Sequence, residues 1–211
     1  MKVLLVNGSP HRKGCTWTAL NEAAKTLNEE GIETEIFWIG IKPLAGCIAC
    51  KTCAKKGRCV FDDTVNEFLD IAKDADGFIF GSPVHYASAT GAMTSFMDRV
   101  FYTNMQAGRQ TFSLKPAAAV VSARRAGTTA TFDQLNKYFT ISEMPVISSR
   151  YWNMVHGVEP EDVEKDLEGL QTVRILARNM AFFLKCKEAG LRAGVQLPVQ
   201  EPTVRTNFIQ D

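Results

Sequence analysis

Three short, almost wholly apolar runs, each ending in a glycine-containing polar loop, constrain this chain more than any other feature. Lys2 to Val6 ends in Asn7-Gly8-Ser9-Pro10, Gly77 to Phe80 in Gly81-Ser82-Pro83, and Ala117 to Val121 in Ser122-Ala123-Arg124-Arg125-Ala126-Gly127. Such runs suit strands buried on both faces of a parallel sheet. Parallel neighbours need crossovers, and helical patterns lie between the runs: Thr16 to Glu30, closed by Gly31; Thr64 to Ala75; and about Thr90 to Met105. The second of these carries a Thr64-x-x-Glu67 capping box, with Val65, Phe68, Leu69 and Ala72 as its apolar face.

Ile32 to Ile39 reads as another strand and Met144 to Ser148 as a fifth. The WNMVH segment, Trp152 to His156, reads as a loop positioned to reach a neighbouring subunit. After Glu159-Pro160 a helical pattern runs to about Ala189, with Val163, Leu167, Leu170, Ile175, Ala177 and Leu184 at its apolar positions. Strand and helix alternate throughout, which predicts an α/β doubly wound parallel sheet with right-handed crossovers. A chain of 211 residues fits one such domain spanning 1–211. Two stretches stand outside the alternation, a Cys-rich insertion at 46–61 and a C-terminal tail from about 190.

Hydrophobic residues make up 45% and charged residues 22% of the chain, enough for a packed core. Lys and Arg number 24 against 23 Asp and Glu, so bulk charge predicts neither nucleic acid nor membrane as a partner. The apolar run in MKVLLVNGSP is too short for a signal peptide, and no stretch approaches the ~20 apolar residues that span a bilayer. The expected location is the cytoplasm.

In an open α/β sheet, ligands bind beyond the carboxyl ends of the strands where strand order reverses. The loop after the first strand, Gly8 to Thr16, opens a helix there, so its N–H groups and the positive end of the helix dipole suit a phosphate. Ser9 and Thr16 add hydroxyls, Gly14 permits close backbone approach, Cys15 lies at the helix start, and His11, Arg12 or Lys13 can add charge. The loop lacks GxGxxG and GxxxxGK[ST], which argues for a monophosphate over a dinucleotide or a P-loop triphosphate. A second loop offers Pro83, Val84, His85 and Tyr86 as a flat wall of the kind a flavin ring needs. A third supplies Ser122, Arg124 and Gly127, with Arg125 beside them, where a cation can stabilise an anionic reduced flavin. Trp17, Trp38 and Trp152 are either core residues or stacking partners. Asp98-Arg99 reads as a structural ion pair or subunit contact. No hydrolytic constellation is visible and no catalytic side chain is assigned.

Four of the six cysteines, Cys47, Cys50, Cys53 and Cys59, form C-x2-C-x2-C-x5-C. Steps of three let a loop wrap one face of a cubane, as in the first three ligands of bacterial ferredoxins. Structural zinc and free or redox-active thiols are the alternatives. Cys186 reads as an ordinary buried thiol.

The segments NGSPHRKGCTWTA, GCIACKTCAKKGRCVFDD, GSPVHYASATGAMTSFMDR and SARRAGTT together resemble the NADPH-dependent FMN reductase and iron–sulfur flavoprotein family of the flavodoxin-like superfamily. The resemblance runs along almost the whole chain. It departs at His11 and Cys15, where such proteins commonly carry Arg and Asn. It implies a flavodoxin-like three-layer sandwich with a five-stranded parallel sheet in the order 2-1-3-4-5. It also implies FMN as cofactor, NAD(P)H as co-substrate, a 4Fe-4S cluster on the four cysteines, and assembly into homodimers or homotetramers. The expected activity is transfer of electrons from NAD(P)H through FMN to a small-molecule acceptor or redox protein. The rival expectation is an electron carrier between protein partners.

Overall fold

Alternate side chains of a parallel strand face opposite layers, and both sets here are apolar. Leu4, Val6, Phe78, Phe80, Ala119 and Val121 enter one core cluster, while Val3, Leu5, Ile79, Ala118 and Val120 enter another. The computed structural model describes every residue except Arg205, Asn207, Gln210 and Asp211. Its elements in chain order are β1 (Lys2–Asn7), α1 (Cys15–Glu29), β2 (Glu33–Trp38), α2 (Thr52–Lys56), α3 (Thr64–Ala72), β3 (Gly77–His85) and β4 (Ser88–Ala89). They continue with α4 (Gly91–Gln106), β5 (Ala117–Ala123), α5 (Thr128–Ile141), β6 (Met154–His156), α6 (Pro160–Lys165) and α7 (Leu167–Arg192).

The parallel sheet runs β2-β1-β3-β5-β6, and β4 adds a short antiparallel pair on β3. Leaving out that hairpin, this is the expected order of five parallel strands. Helices α3, α4 and α5 cover one face through Phe68, Phe96 and Phe139, and α1, α6 and α7 cover the other through Leu20, Val163 and Leu176. Each such fully buried side chain contributes about 1.5–3 kcal/mol relative to exposure. No helix among the described residues is long and apolar enough to cross a membrane.

Register places the functional edge. Asn7 pairs with Gly81, and β3 and β5 then continue past the end of β1, with Pro83 opposite Ser122. Helix α1 descends onto this edge at Gly81, where a Cβ would meet Leu20 Cδ1 at 2.8 Å and Thr16 Cγ2 at 2.9 Å. Only a residue without a side chain lets the helix start so close above the strand ends.

Several expectations are corrected. The fifth strand is Met154–His156, inside the segment read as a loop, while 144–148 contributes only a bridge between Ala117 and Val146. Strand β3 runs on through Gly81 to His85, so only Tyr86 and Ala87 form the turn before β4. Asp63, not Thr64, caps α3 by accepting from the Val65 N–H at 3.2 Å. The final helical pattern is broken at Asp166, whose carboxylate accepts from the N–H groups of His156 at 2.7 Å and Gly169 at 3.0 Å. Leu167, at that break, is exposed, as is Cys186 on the outer side of α7. Helix α5 escaped the sequence reading because its apolar positions are few; only Leu135 and Phe139 are large buried ones. The tail beyond α7 is exposed from 193 to 204, and the expected tail extends in part to residues outside the described ones.

Candidate functional site

The loop after β1 is organised by buried polar side chains. Asn7 is fully buried; its Oδ1 accepts from Ser9 N–H at 3.0 Å and its Nδ2 donates to Arg12 carbonyl at 3.2 Å. Ser9 Oγ accepts from His11 N–H at 3.1 Å, and the Trp38 indole N–H donates to the Ser9 carbonyl at 2.8 Å. Thr90, the cap of α4, donates to the Gly8 carbonyl at 3.0 Å, and Thr16 Oγ1 shares a 2.8 Å hydrogen bond with Ser122 Oγ. Buried polar groups paired this fully hold one geometry, because any other would leave them unsatisfied.

This loop opens on a cavity of about 490 Å³. Of the residues singled out in sequence, Ser9, His11, Arg12, Gly14, Cys15, Thr16, Pro83, Val84, His85, Ser122 and Arg124 all line it. Two do not. Tyr86 is fully exposed at the hairpin tip with φ 53°, and Gly127 stands behind the wall, where a Cβ would meet Val84 Cγ1 at 2.8 Å. Gly127 holds φ 88° at the start of α5, so it shapes the wall that Val84 presents instead of touching the ligand space.

The far side of the cavity is Gly157, Val158, Glu159 and Pro160, which sequence reasoning missed. The signal was the Glu159-Pro160 helix start, unusable until Met154–His156 is known to be the strand that delivers it. Cys15 joins the two sides by donating its thiol to the Val158 carbonyl at 3.4 Å. Burial pushes this thiol up from its ordinary range, with Glu159 adding in the same direction, so Cys15 stays a neutral thiol at neutral pH.

The first turn of α1 decides what the cavity can hold. Side chains cap α3, α4 and α7 through Asp63, Thr90 and Asp166, whereas α1 starts at Gly14 with neither a side-chain cap nor an acidic residue in its first turn. Helix-start N–H groups need an acceptor, and here they border the cavity. His11, Arg12 and Lys13 stand on the same rim. The chain fits a phosphate at this point. Pro83, Val84 and His85 on β3, Ser122 and Ala123 on β5 and Arg124 just after it then offer a wall long enough for a ring system beyond it. Arg12 packs over Trp38 at 5.7 Å and Lys13 over Trp17 at 5.6 Å, so those two indoles face cations on the outer side of the loop. Trp152 is exposed beside Tyr151.

The cysteine segment lies elsewhere. Cys47, Cys50, Cys53 and Cys59 border one small cavity of about 20 Å³, together with Arg99 and Tyr102. The loop achieves this through left-handed Ala49 and Lys51, with φ 53° and 55°. Cys47 and Cys50 are exposed, Cys59 is half-buried and Cys53 is buried. Burial pushes the Cys53 thiol up, while hydrogen bonds from Thr52 pull the Cys50 thiol down. Among the described residues the side chains do not close to coordination distance around any metal. The donor chemistry nevertheless fits a soft metal or iron–sulfur group. Four cysteines border one space, Cys47 and Cys50 on irregular backbone, and the buried cation of Arg99 borders it too.

That cation is Arg99, whose expected pairing with Asp98 is not made. Arg99 forms a two-pronged salt bridge with Asp63, both contacts at 2.8 Å, and Asp98 instead accepts from the Tyr138 hydroxyl. Burial and this acidic neighbour together push the Tyr138 phenol far above its ordinary range. Asn66 clasps the far end of the loop, accepting from Cys59 N–H at 2.9 Å and donating to the carbonyls of Cys59 and Phe61.

The chain is similar to known proteins along most of its length. The family described as NADPH-dependent FMN reductase matches residues 1–159. An iron-sulfur flavoprotein of Methanocaldococcus jannaschii is 34% identical over 88% of this chain and 98% of its own length. An iron-sulfur flavoprotein of Methanosarcina thermophila is 26% identical over 88% of this chain and 96% of its own. Among solved structures, RosB with a bound 8-demethyl-8-formylriboflavin-5'-phosphate superimposes with a TM-score of 0.68 at 15% identity, over 100% of this chain and 96% of that one. A flavodoxin from the domain Archaea gives 0.58 at 16% identity, over 88% of this chain and 99% of that one. Both are similar in fold.

Proposed function

The chain belongs to the NADPH-dependent FMN reductase family, and on that premise we propose that it takes electrons from NAD(P)H and passes them through FMN to a small-molecule or protein acceptor. At the coarser level it is an FMN flavoprotein oxidoreductase of flavodoxin-like fold.

The observation that carries the reading is the uncapped start of α1 facing a cavity of about 490 Å³. The FMN phosphate is assigned to the N–H groups at the start of α1, from Gly14 to Thr16, the Ser9 and Thr16 hydroxyls and the cationic rim of His11, Arg12 and Lys13. The ring is assigned to Pro83, Val84 and His85 on one side and Ser122 to Arg124 on the other. FMN, when bound, supplies hydride acceptance and its onward transfer. The chain supplies position, exclusion of water and the Arg124 charge, and no side chain is asked to move a proton.

The four cysteines are assigned to a 4Fe-4S cluster, which supplies single-electron transfer when present. What supports this is that Cys47, Cys50, Cys53 and Cys59 border one cavity and that the relatives are iron-sulfur flavoproteins. One domain, a cytoplasmic location and a homodimer or homotetramer complete the proposal. The grouping of the four cysteines around one cavity also favours a second reading, an electron carrier between protein partners for which NAD(P)H is not a substrate.

Rapid mixing of the anaerobically purified protein with NADPH and with NADH separates the two. Bleaching of the flavin band by either nucleotide supports the reductase. A yellow protein bleached by neither overturns the reductase reading, and a protein that cannot be loaded with FMN overturns both readings.

A further inference from the structure

A guanidinium has five N–H donors, and those of Arg99 are fully engaged. Nε and Nη2 donate to Cys59 Sγ at 3.3 and 3.2 Å, Nη1 and Nη2 donate to the two Asp63 oxygens at 2.8 Å, and Nη1 donates to the Ala45 carbonyl at 3.3 Å. The side chain is 1% exposed and lies 4.8 Å from the Phe61 ring. A charge removed from water this completely is costly unless its partners answer it. Asp63 answers part of the charge. Two of the remaining donors are aimed at one sulfur, which accepts weakly as a thiol and strongly as an anionic ligand.

Anchoring the loop would need only the Asp63 fork and the Ala45 carbonyl. The double contact with sulfur is left over, and it lies on the wall of the cavity where all four cysteines meet. Hydrogen bonds and positive charge at a ligand sulfur stabilise the reduced, more negative form of an iron–sulfur group. We propose that Arg99 is a positioning residue that orients Cys59 as a ligand and holds the reduction potential of the cluster high. This rests on the assignment of a cluster to the four cysteines.

The test uses the full chain, loaded anaerobically with iron, sulfide and FMN, as wild type, Arg99→Gln, Arg99→Lys and Asp63→Asn. Cluster and flavin potentials are read in the same samples by spectroelectrochemical titration, beside iron content. Arg99 does not line the flavin cavity, so the flavin potential is the internal control. In Arg99→Gln the equilibrium constant for cluster reduction is expected to fall at least tenfold, about 59 mV for a one-electron couple. Arg99→Lys should recover part of that loss, and Asp63→Asn, which leaves the guanidinium unneutralised, should shift the constant the other way. A cluster that loads normally in Arg99→Gln with its constant within twofold of wild type overturns the proposal. If Arg99→Gln does not accumulate, Asp63→Asn decides: a rise supports the proposal, and an unchanged or lowered constant overturns it. Wild type that takes up no iron brings down the cluster assignment and this proposal together, a result distinct from iron uptake with an immobile potential.

Discussion

The loop after β1 and the cysteine loop after β2 are built on opposite plans. The first is short, starts from a fully buried strand and is tied by Asn7, Ser9, Thr16, Thr90 and Trp38, so its cavity exists before any ligand arrives. The second leaves residues 45–51 exposed and without regular structure, and is fixed mainly where Arg99 holds Ala45 and Cys59 and where Asn66 clasps Cys59. A site framed by strands can bind with little ordering cost, whereas a site on free backbone charges that cost to its ligand. The flavin cavity is therefore expected to persist in the metal-free chain, and the cysteine loop to gain order only when it is loaded.

The largest effect should come from the cysteines. Cys53→Ser is expected to abolish iron retention while leaving FMN affinity within about twofold, since the two cavities share no lining residue. Iron analysis and flavin fluorescence titration read the two separately; a tenfold loss of FMN affinity would break the contrast. Gly81→Ala attacks the other plan by forcing α1 off the strand edge. Overpacking of this kind is expected to cost about 2–3 kcal/mol in denaturant unfolding and to weaken FMN at least about tenfold. Equal stability would mean that Leu20 and Thr16 yield freely.

Asn66→Ala, which leaves the Cys59 and Phe61 backbone groups unpaired, should cost about 1–2 kcal/mol and lower iron occupancy without touching flavin. Hydrogen exchange sharpens the same contrast: loading with iron should slow exchange across 45–61 and leave 8–16 nearly unchanged. The smallest effect is expected at the hairpin tip. Tyr86→Gly relieves a left-handed φ and should stabilise by under about 1 kcal/mol with FMN affinity unchanged. A clear loss of affinity would return Tyr86 to the cofactor wall.

The same division decides what could be read from sequence. Buried parallel strands announce themselves as apolar runs, so β1, β3 and β5 were legible, whereas the sheet order came only with the family resemblance. The loop that opens on the large cavity was legible because its features are local, a strand end, small polar residues and a helix start in sequence. What escaped depended on partners far along the chain. Arg99 belongs with Asp63 and Cys59 and not with its neighbour Asp98. The wall at Gly157 to Pro160 depends on β6, a three-residue strand whose pattern is too short to show a period. Tyr86 and Gly127 were placed at the right edge of the sheet but one step from the cavity. The left-handed turn at Tyr86 and the glycine conformation at Gly127 decide that step, and neither is visible as composition.

Because the cysteine segment enters between β2 and α3 and leans on the rest of the molecule chiefly through α4, it behaves as a graft on a finished flavin protein. Descendants could discard the graft and keep a working yellow enzyme.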